Sequence, residues 1–185
     1  MKRKFKIFVC LIIILAACFG YAHIDKMHSV FDTEVDPSLY VSTSIDSKEE
    51  YRQEFVCEEK ILDGIAVKFN ITGEEIDKVK LIYCIEDEHE NVIREGTLSG
   101  DKFRNQKYNK LGFETIENTK GKKFIVKIHL ENNDAENGVS FLFEGEKLVL
   151  KYYAFRFDVE TFMIACFFCA YVVGFMKILF KMFKE

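Results

Sequence analysis

The chain has 185 residues, 49% of them hydrophobic and 30% charged, with a formal net charge of −4. That length has room for one domain of ordinary size plus anchoring segments. The acidic balance argues against nucleic acid and other polyanions as partners, because like charge repels at encounter.

An apolar block occupies 7–22 behind a basic start of Lys2, Arg3, Lys4 and Lys6. Three readings fit. A signal-anchor helix over 1–22 stays in the bilayer. A secretory signal is cleaved and lost. Leu15-Ala16-Ala17-Cys18 spells a bacterial lipobox, in which Cys18 is lipidated and becomes the mature N-terminus. All three leave the middle of the chain outside the cytoplasm.

Residues 23–50 read as a polar connector. They hold the single proline, Pro37, and a Ser/Thr/Asp-rich stretch from Ser42 to Ser47. Beyond it the pattern turns to period 2, the signature of half-buried strands. Ile65, Val67, Phe69 and Ile71 alternate with polar or small neighbours. Val79, Leu81, Tyr83 and Ile85 repeat the pattern, as do Phe124, Val126, Ile128 and Leu130. Val139, Phe141 and Phe143 follow, then Leu148, Leu150 and Tyr152. Turn signals at Thr72-Gly73, Ser99-Gly100-Asp101, Lys120-Gly121 and Glu144-Gly145-Glu146 separate the runs. With further segments at 53–58, 91–97 and 110–116, about eight strands are expected, a spacing that suits an antiparallel β-sandwich of jelly-roll type.

A second apolar block at 162–180, interrupted only by Lys177, is long enough to span a bilayer over 161–181. Phe167, Phe168, Tyr171, Val172, Val173 and Phe175 leave it no polar face. Charge divides along the chain: +4 over 1–22, −10 over 23–160 and +2 over 161–185. The positive-inside rule then places both termini in the cytoplasm and the middle segment outside. The expected architecture is a mainly β domain over 51–157 flanked by two transmembrane helices.

The chemistry-bearing residues are few. Cys57 and Cys84 are the two domain cysteines of the six in the chain, and outside the cytoplasm they either form a disulfide or pack as separate thiols. Closing their loop would stabilise by roughly 3 kcal/mol in the chain-entropy model. Cys166-Phe-Phe-Cys169 reads as two small residues one helical turn apart. The acidic pairs Glu49-Glu50, Glu58-Glu59 and Glu74-Glu75, and the run Asp87-Glu88-His89-Glu90, read as solvated turn charge. His23, His28, His89 and His129 show no metal-ligand spacing. No nucleophile elbow or phosphate loop is spelled, so no catalytic residue and no cofactor are expected. Tyr108, Tyr152 and Tyr153 are the candidate ligand or partner contacts. Tyr152 and Tyr153 are adjacent on one strand and face opposite ways, so at least one is expected to be exposed or half-exposed.

Several stretches resemble a known family. They are Gln53-Glu-Phe55, Leu62-Asp-Gly64-Ile65 with Phe69, Asp87 to Val92 with Arg94-Glu95, Phe113, and Lys120-Gly121-Lys122-Lys-Phe124. Over 50–157 the chain resembles extracytoplasmic β-sandwich modules, similar to carbohydrate-binding modules, that accompany glycosyltransferase and surface-polysaccharide membrane proteins of Gram-positive bacteria. The resemblance implies a role near envelope glycans, and with no catalytic signature spelled the expected role is that of a non-catalytic accessory subunit. The expected partners are the lipid bilayer, which the apolar blocks require, and membrane proteins of glycan assembly or polysaccharide. Sugar-binding modules use tryptophan as a platform and this chain has none, so no set of binding residues carries across.

Overall fold

The computed structural model describes residues 2–44, 49–73, 76–134 and 138–183. Met1, residues 45–48, the Glu74-Glu75 pair, residues 135–137, Lys184 and Glu185, and the side chains of Lys2, Arg3, Lys4, Ile7 and Ser44 lie outside the described residues. The chain divides into two compact units, Met1–Asp25 with Phe155–Glu185, and Lys26–Ala154.

The first unit is built on two helices, α1 (Lys2–Tyr21) and α2 (Val159–Met182). Asp158 starts α2. Its Oδ2 accepts from the Thr161 backbone N–H at 2.9 Å and from Thr161 Oγ1 at 2.8 Å, an N-cap that satisfies an orphan donor of the first turn. Glu160 in the first turn and Lys181 in the last complement the helix dipole. With 24 residues α2 extends about 36 Å, and it is long and apolar enough to cross a membrane. Phe167, Phe168, Tyr171 and Phe180 are each 66–69% exposed. In α1 the apolar part is only Phe8–Tyr21, because basic residues occupy the first turns. The expected span length is therefore met at the C-terminal end, while the N-terminal helix is short. Phe19, His23, Phe157 and Phe162 form a ring cluster with centroids 4.7 to 5.4 Å apart.

The second unit is made of strands, and each strand has a reason in the sequence. Eleven strands occur among the described residues: β1 (His23–Ser29), β2 (Val41–Ser44), β3 (Glu50–Val56), β4 (Ile61–Ile71), β5 (Lys80–Glu86), β6 (Val92–Ser99), β7 (Tyr108–Glu117), β8 (Lys123–Glu131), β9 (Val139–Glu144), β10 (Lys147–Leu148) and β11 (Leu150–Phe157). Eight were expected. The extra ones are β1 and β2, inside the stretch read as a connector, and the two-residue β10.

Two antiparallel sheets result. The smaller has the order β3-β8-β5-β6. The larger runs β1-β11-β4-β9-β10, with β7 on the other side of β4 and β2 paired to β9. At 11 residues β4 is long enough to serve two neighbours in succession. Gly64 to Val67 pair with β11, and Phe69 to Ile71 pair with β9.

The alternating apolar positions meet in one core. Leu62, Ile65, Val67, Phe69, Phe141 and Leu150 of the larger sheet pack with Leu81, Ile85, Val126, Ile128 and Leu130 of the smaller. The fold is thus mainly β and sandwich-like. The outer face of the larger sheet is also covered, at its centre. Ala66 lies between Lys151 and Lys110 in register and is fully buried. The Lys151 ammonium sits 4.6 Å over the Tyr108 ring and the Lys110 ammonium 5.2 Å over Tyr153. The lysine stems thereby cover apolar surface while their heads reach water.

Candidate functional site

The edges of the two sheets come together at β1 and β3. The first half of β3 is instead bridged by side chains to β10 and the turn before it. Gln53 Oε1 accepts from the Leu148 backbone N–H at 2.7 Å, and Tyr51 Oη donates to the Glu146 carbonyl at 2.7 Å. From Glu54 onward the seam opens into a groove of about 420 Å³. His28, Ser29 and Val30 line one side, Glu54, Phe55 and Val56 the other, with Glu58, Lys123 and Tyr152 between.

The centre of this groove is His28. Its Nε2 lies 2.9 Å from Glu59 Oε1 and its Nδ1 3.4 Å from Glu58 Oε2. Its ring stacks on Tyr152 at 5.0 Å and 9°, and Tyr152 stacks on Phe55 at 5.1 Å and 18°. Tyr152 Oη accepts from the Glu58 N–H at 3.0 Å. Burial pushes the Tyr152 hydroxyl up to about 12. The turn that carries both glutamates is itself pinned. Thr119 Oγ1 donates to the Glu59 carbonyl at 2.8 Å, the Cys57 thiol donates to the same carbonyl at 3.5 Å, and the Gly121 N–H donates to the Cys57 carbonyl at 2.7 Å. Gly121 has φ +78, a left-handed conformation that glycine adopts without strain.

Both imidazole nitrogens face carboxylates, Glu59 at 2.9 Å and Glu58 at 3.4 Å. Tyr152, with its raised hydroxyl, stays neutral and serves as a stacking surface and acceptor. The cluster ties β1 to the β3–β4 turn.

Several expectations change here. Glu59 is not solvated turn charge. It is buried against His28, while Glu58 beside it is exposed. Tyr152 and Tyr153 are both buried, at 3% and 8% exposure. Opposite faces do not mean one exposed face, because Tyr153 lies over Gly64 and Gly112, which pair across β4 and β7 and leave space for the ring. Tyr108 is half-buried, and burial, helped by Tyr40, pushes it up to about 12. All six cysteines are free. Cys57 is buried in the core, whereas Cys84 pairs with Lys127 and Glu95 and faces away from its buried neighbours Tyr83 and Ile85. The two thiols therefore sit on opposite sides of the smaller sheet, and no disulfide joins them. Cys18 lies in the last turn of α1, in the helical unit.

The acidic turn keeps its expected character. Asp87 Oδ1 accepts from the His89 and Asn91 backbone N–H groups at 2.8 and 2.9 Å, and the bonds from Asn91 hold its carboxyl below the usual range. Glu90 pairs with Arg52 at 2.7 Å. The groove itself was not visible in the sequence. His28 and Glu59 are 31 residues apart, and the only local sign was a histidine in a weakly alternating stretch.

No family model matches this chain, and no curated protein matches it. Among solved structures it is similar to the VP2 subviral particle of infectious bursal disease virus, with 10% identity and a TM-score of 0.35, over 71% of this chain and 32% of that one. A second match, the structure of the Gx strain of infectious bursal disease virus, has 10% identity and a TM-score of 0.30, over 71% of this chain and 29% of that one. The chain spans about a third of the length of these proteins. Likeness at this level assigns neither family nor function.

Proposed function

We propose that this chain is a membrane-anchored protein that holds a non-catalytic β-sandwich outside the cytoplasm and works by contact. The pathway we assign it is the assembly of cell-envelope surface polysaccharide, as an accessory subunit. The observation that carries the reading is α2, a 24-residue helix apolar on every face. Lipid is the solvent that such a surface requires. The charge partition of +4, −10 and +2 along the chain supports two cytoplasmic ends and an external domain.

We also read the sandwich as jelly-roll-like. Its eight principal strands run β1-β11-β4-β7 in one sheet and β3-β8-β5-β6 in the other, and the chain passes repeatedly between the two. The groove between β1 and β3 is the contact surface in this reading. Glycan binding ranks below protein contact, because every described Phe and Tyr ring in 26–154 is buried or half-buried and none offers a free platform. Catalysis ranks lower still, because both His28 nitrogens are engaged.

A photoreactive side chain placed at Val56, which is 56% exposed at the groove, tests the reading in living cells. Crosslinks to membrane proteins of envelope-glycan assembly are expected. Crosslinks to cytoplasmic proteins would contradict the placement, and crosslinks to polysaccharide alone would replace protein contact with glycan binding.

A further inference from the structure

We propose that Cys18 and Cys169 form a redox-active dithiol pair that ties α1 to α2. This rests on the retained-anchor reading, and it excludes lipidation of Cys18. Among the described side chains of α1, Cys18 is the buried one, at 3% exposure, while its neighbour Phe19 is 54% exposed. What buries it is α2. The two sulfurs are 3.8 Å apart across the helix pair, bridging 151 residues of sequence. Ala17, Thr161 and Ala165 line the cleft around them, and small residues let helix backbones approach closely. A disulfide requires sulfurs at about 2 Å, so the pair must close by a further ~2 Å. The cleft of about 580 Å³ leaves room for that adjustment. Cys10 and Cys166 line a second cleft, which Cys169 also borders but Cys18 does not, and provide internal controls.

The chemistry is thiol–disulfide exchange with a disulfide donor, as an oxidising envelope compartment provides. The thiolate of one cysteine attacks the donor disulfide. A mixed disulfide forms and the first donor thiol leaves. The second cysteine then attacks the mixed disulfide, and the second donor thiol leaves. Two electrons and two protons pass from the cysteine pair to the donor. The product is an S–S bond between helices, which joins the short α1 covalently to the long α2. Reduction returns both thiols and frees the helices from each other. A lipidated Cys18 would instead carry a thioether at a new N-terminus, with α1 cleaved away, so the two fates are mutually exclusive.

The full-length protein in native membranes is first reduced with dithiothreitol, washed free of it, and treated with one equivalent of dithiodipyridine, a membrane-permeant aromatic disulfide. Free thiols are then counted by maleimide alkylation under denaturing conditions, and the intact mass is measured. The expected result is a fall from six alkylatable thiols to four in a monomeric chain, reversed by dithiothreitol. Cys18→Ser and Cys169→Ser should each abolish the loss, while Cys10→Ser and Cys166→Ser leave it intact. An intact α1 with no thiol loss, or a loss that persists in Cys169→Ser, would overturn the pair and leave the anchor reading standing. A mass that begins at a lipidated Cys18 would overturn both.

Discussion

The helical unit and the sandwich use the same apolar residues in opposite senses. In the sandwich Phe69 and Phe141 are fully buried, each at the centre of an alternating run. In α2 Phe167 and Phe168 point outward, with apolar residues on every side. Period 2 gives a strand one face to hide, and a second sheet hides it. An unbroken apolar run gives a helix no face to hide, so the surroundings must be apolar. The difference teaches that burial in this chain is set by pattern and not by hydrophobicity alone.

The most forceful way to break the comparison is to make one substitution in both places. Phe141→Ala should destabilise the sandwich by about 3–5 kcal/mol, through lost transfer energy and a cavity. Phe167→Ala should change sandwich stability by less than about 0.5 kcal/mol. Denaturant melts of the detergent-solubilised protein compare the two, and equal effects would erase the distinction. Next comes the packing of tyrosine on glycine. A Cβ at Gly64 would run into Tyr153 Oη and would lie 2.6 Å from the Leu111 carbonyl. Gly64→Ala should therefore cost about 1–3 kcal/mol by thermal melt. Adding Tyr153→Phe should recover only part, because the backbone contact remains.

Asp158→Ala removes the N-cap of α2 and should cost about 0.5–2 kcal/mol, confined to the helical unit. Hydrogen exchange should quicken at the Thr161 amide and leave the sheet amides unchanged. At neutral pH the smallest effect belongs to the buried tyrosines. Tyr152 is raised from 10.0 to about 12 by burial. The folded state holds this proton more tightly than the unfolded state, so the contribution is complete below pH 10. It declines as pH rises from 10 towards 12. Tyrosinate absorbance should show a late-titrating group in the native protein, and Tyr152→Phe should remove it.

Much of the sandwich was legible because strong alternation leaves few options. The runs at Ile65, Leu81, Phe124 and Phe141 all enter the core as read. The strands that escaped are edge or minimal ones. His23–Ser29 mixes polar and apolar residues because its position at a sheet edge leaves it mostly half-buried. Val41–Ser44 carries three hydroxyl residues, and Lys147–Leu148 is too short to show a period. The site was less legible for the same reason. It lies where these edges meet, and its central pair, His28 with Glu59, is assembled by topology. The buried Tyr153 was missed because its cover depends on Gly64 and Gly112 being opposite each other, a register that no local pattern encodes.

The central claim is that α2 crosses a membrane and the sandwich lies outside the cytoplasm. It is tested most directly by labelling spheroplasts with a membrane-impermeant amine reagent and mapping the modified peptides by mass spectrometry. Lys60, Lys120 and Lys122 are exposed in the sandwich, and Lys181 is exposed near the end of α2. The account predicts modification of the three sandwich lysines in intact spheroplasts, with Lys181 modified only after lysis. Sandwich lysines that react only after lysis would contradict it.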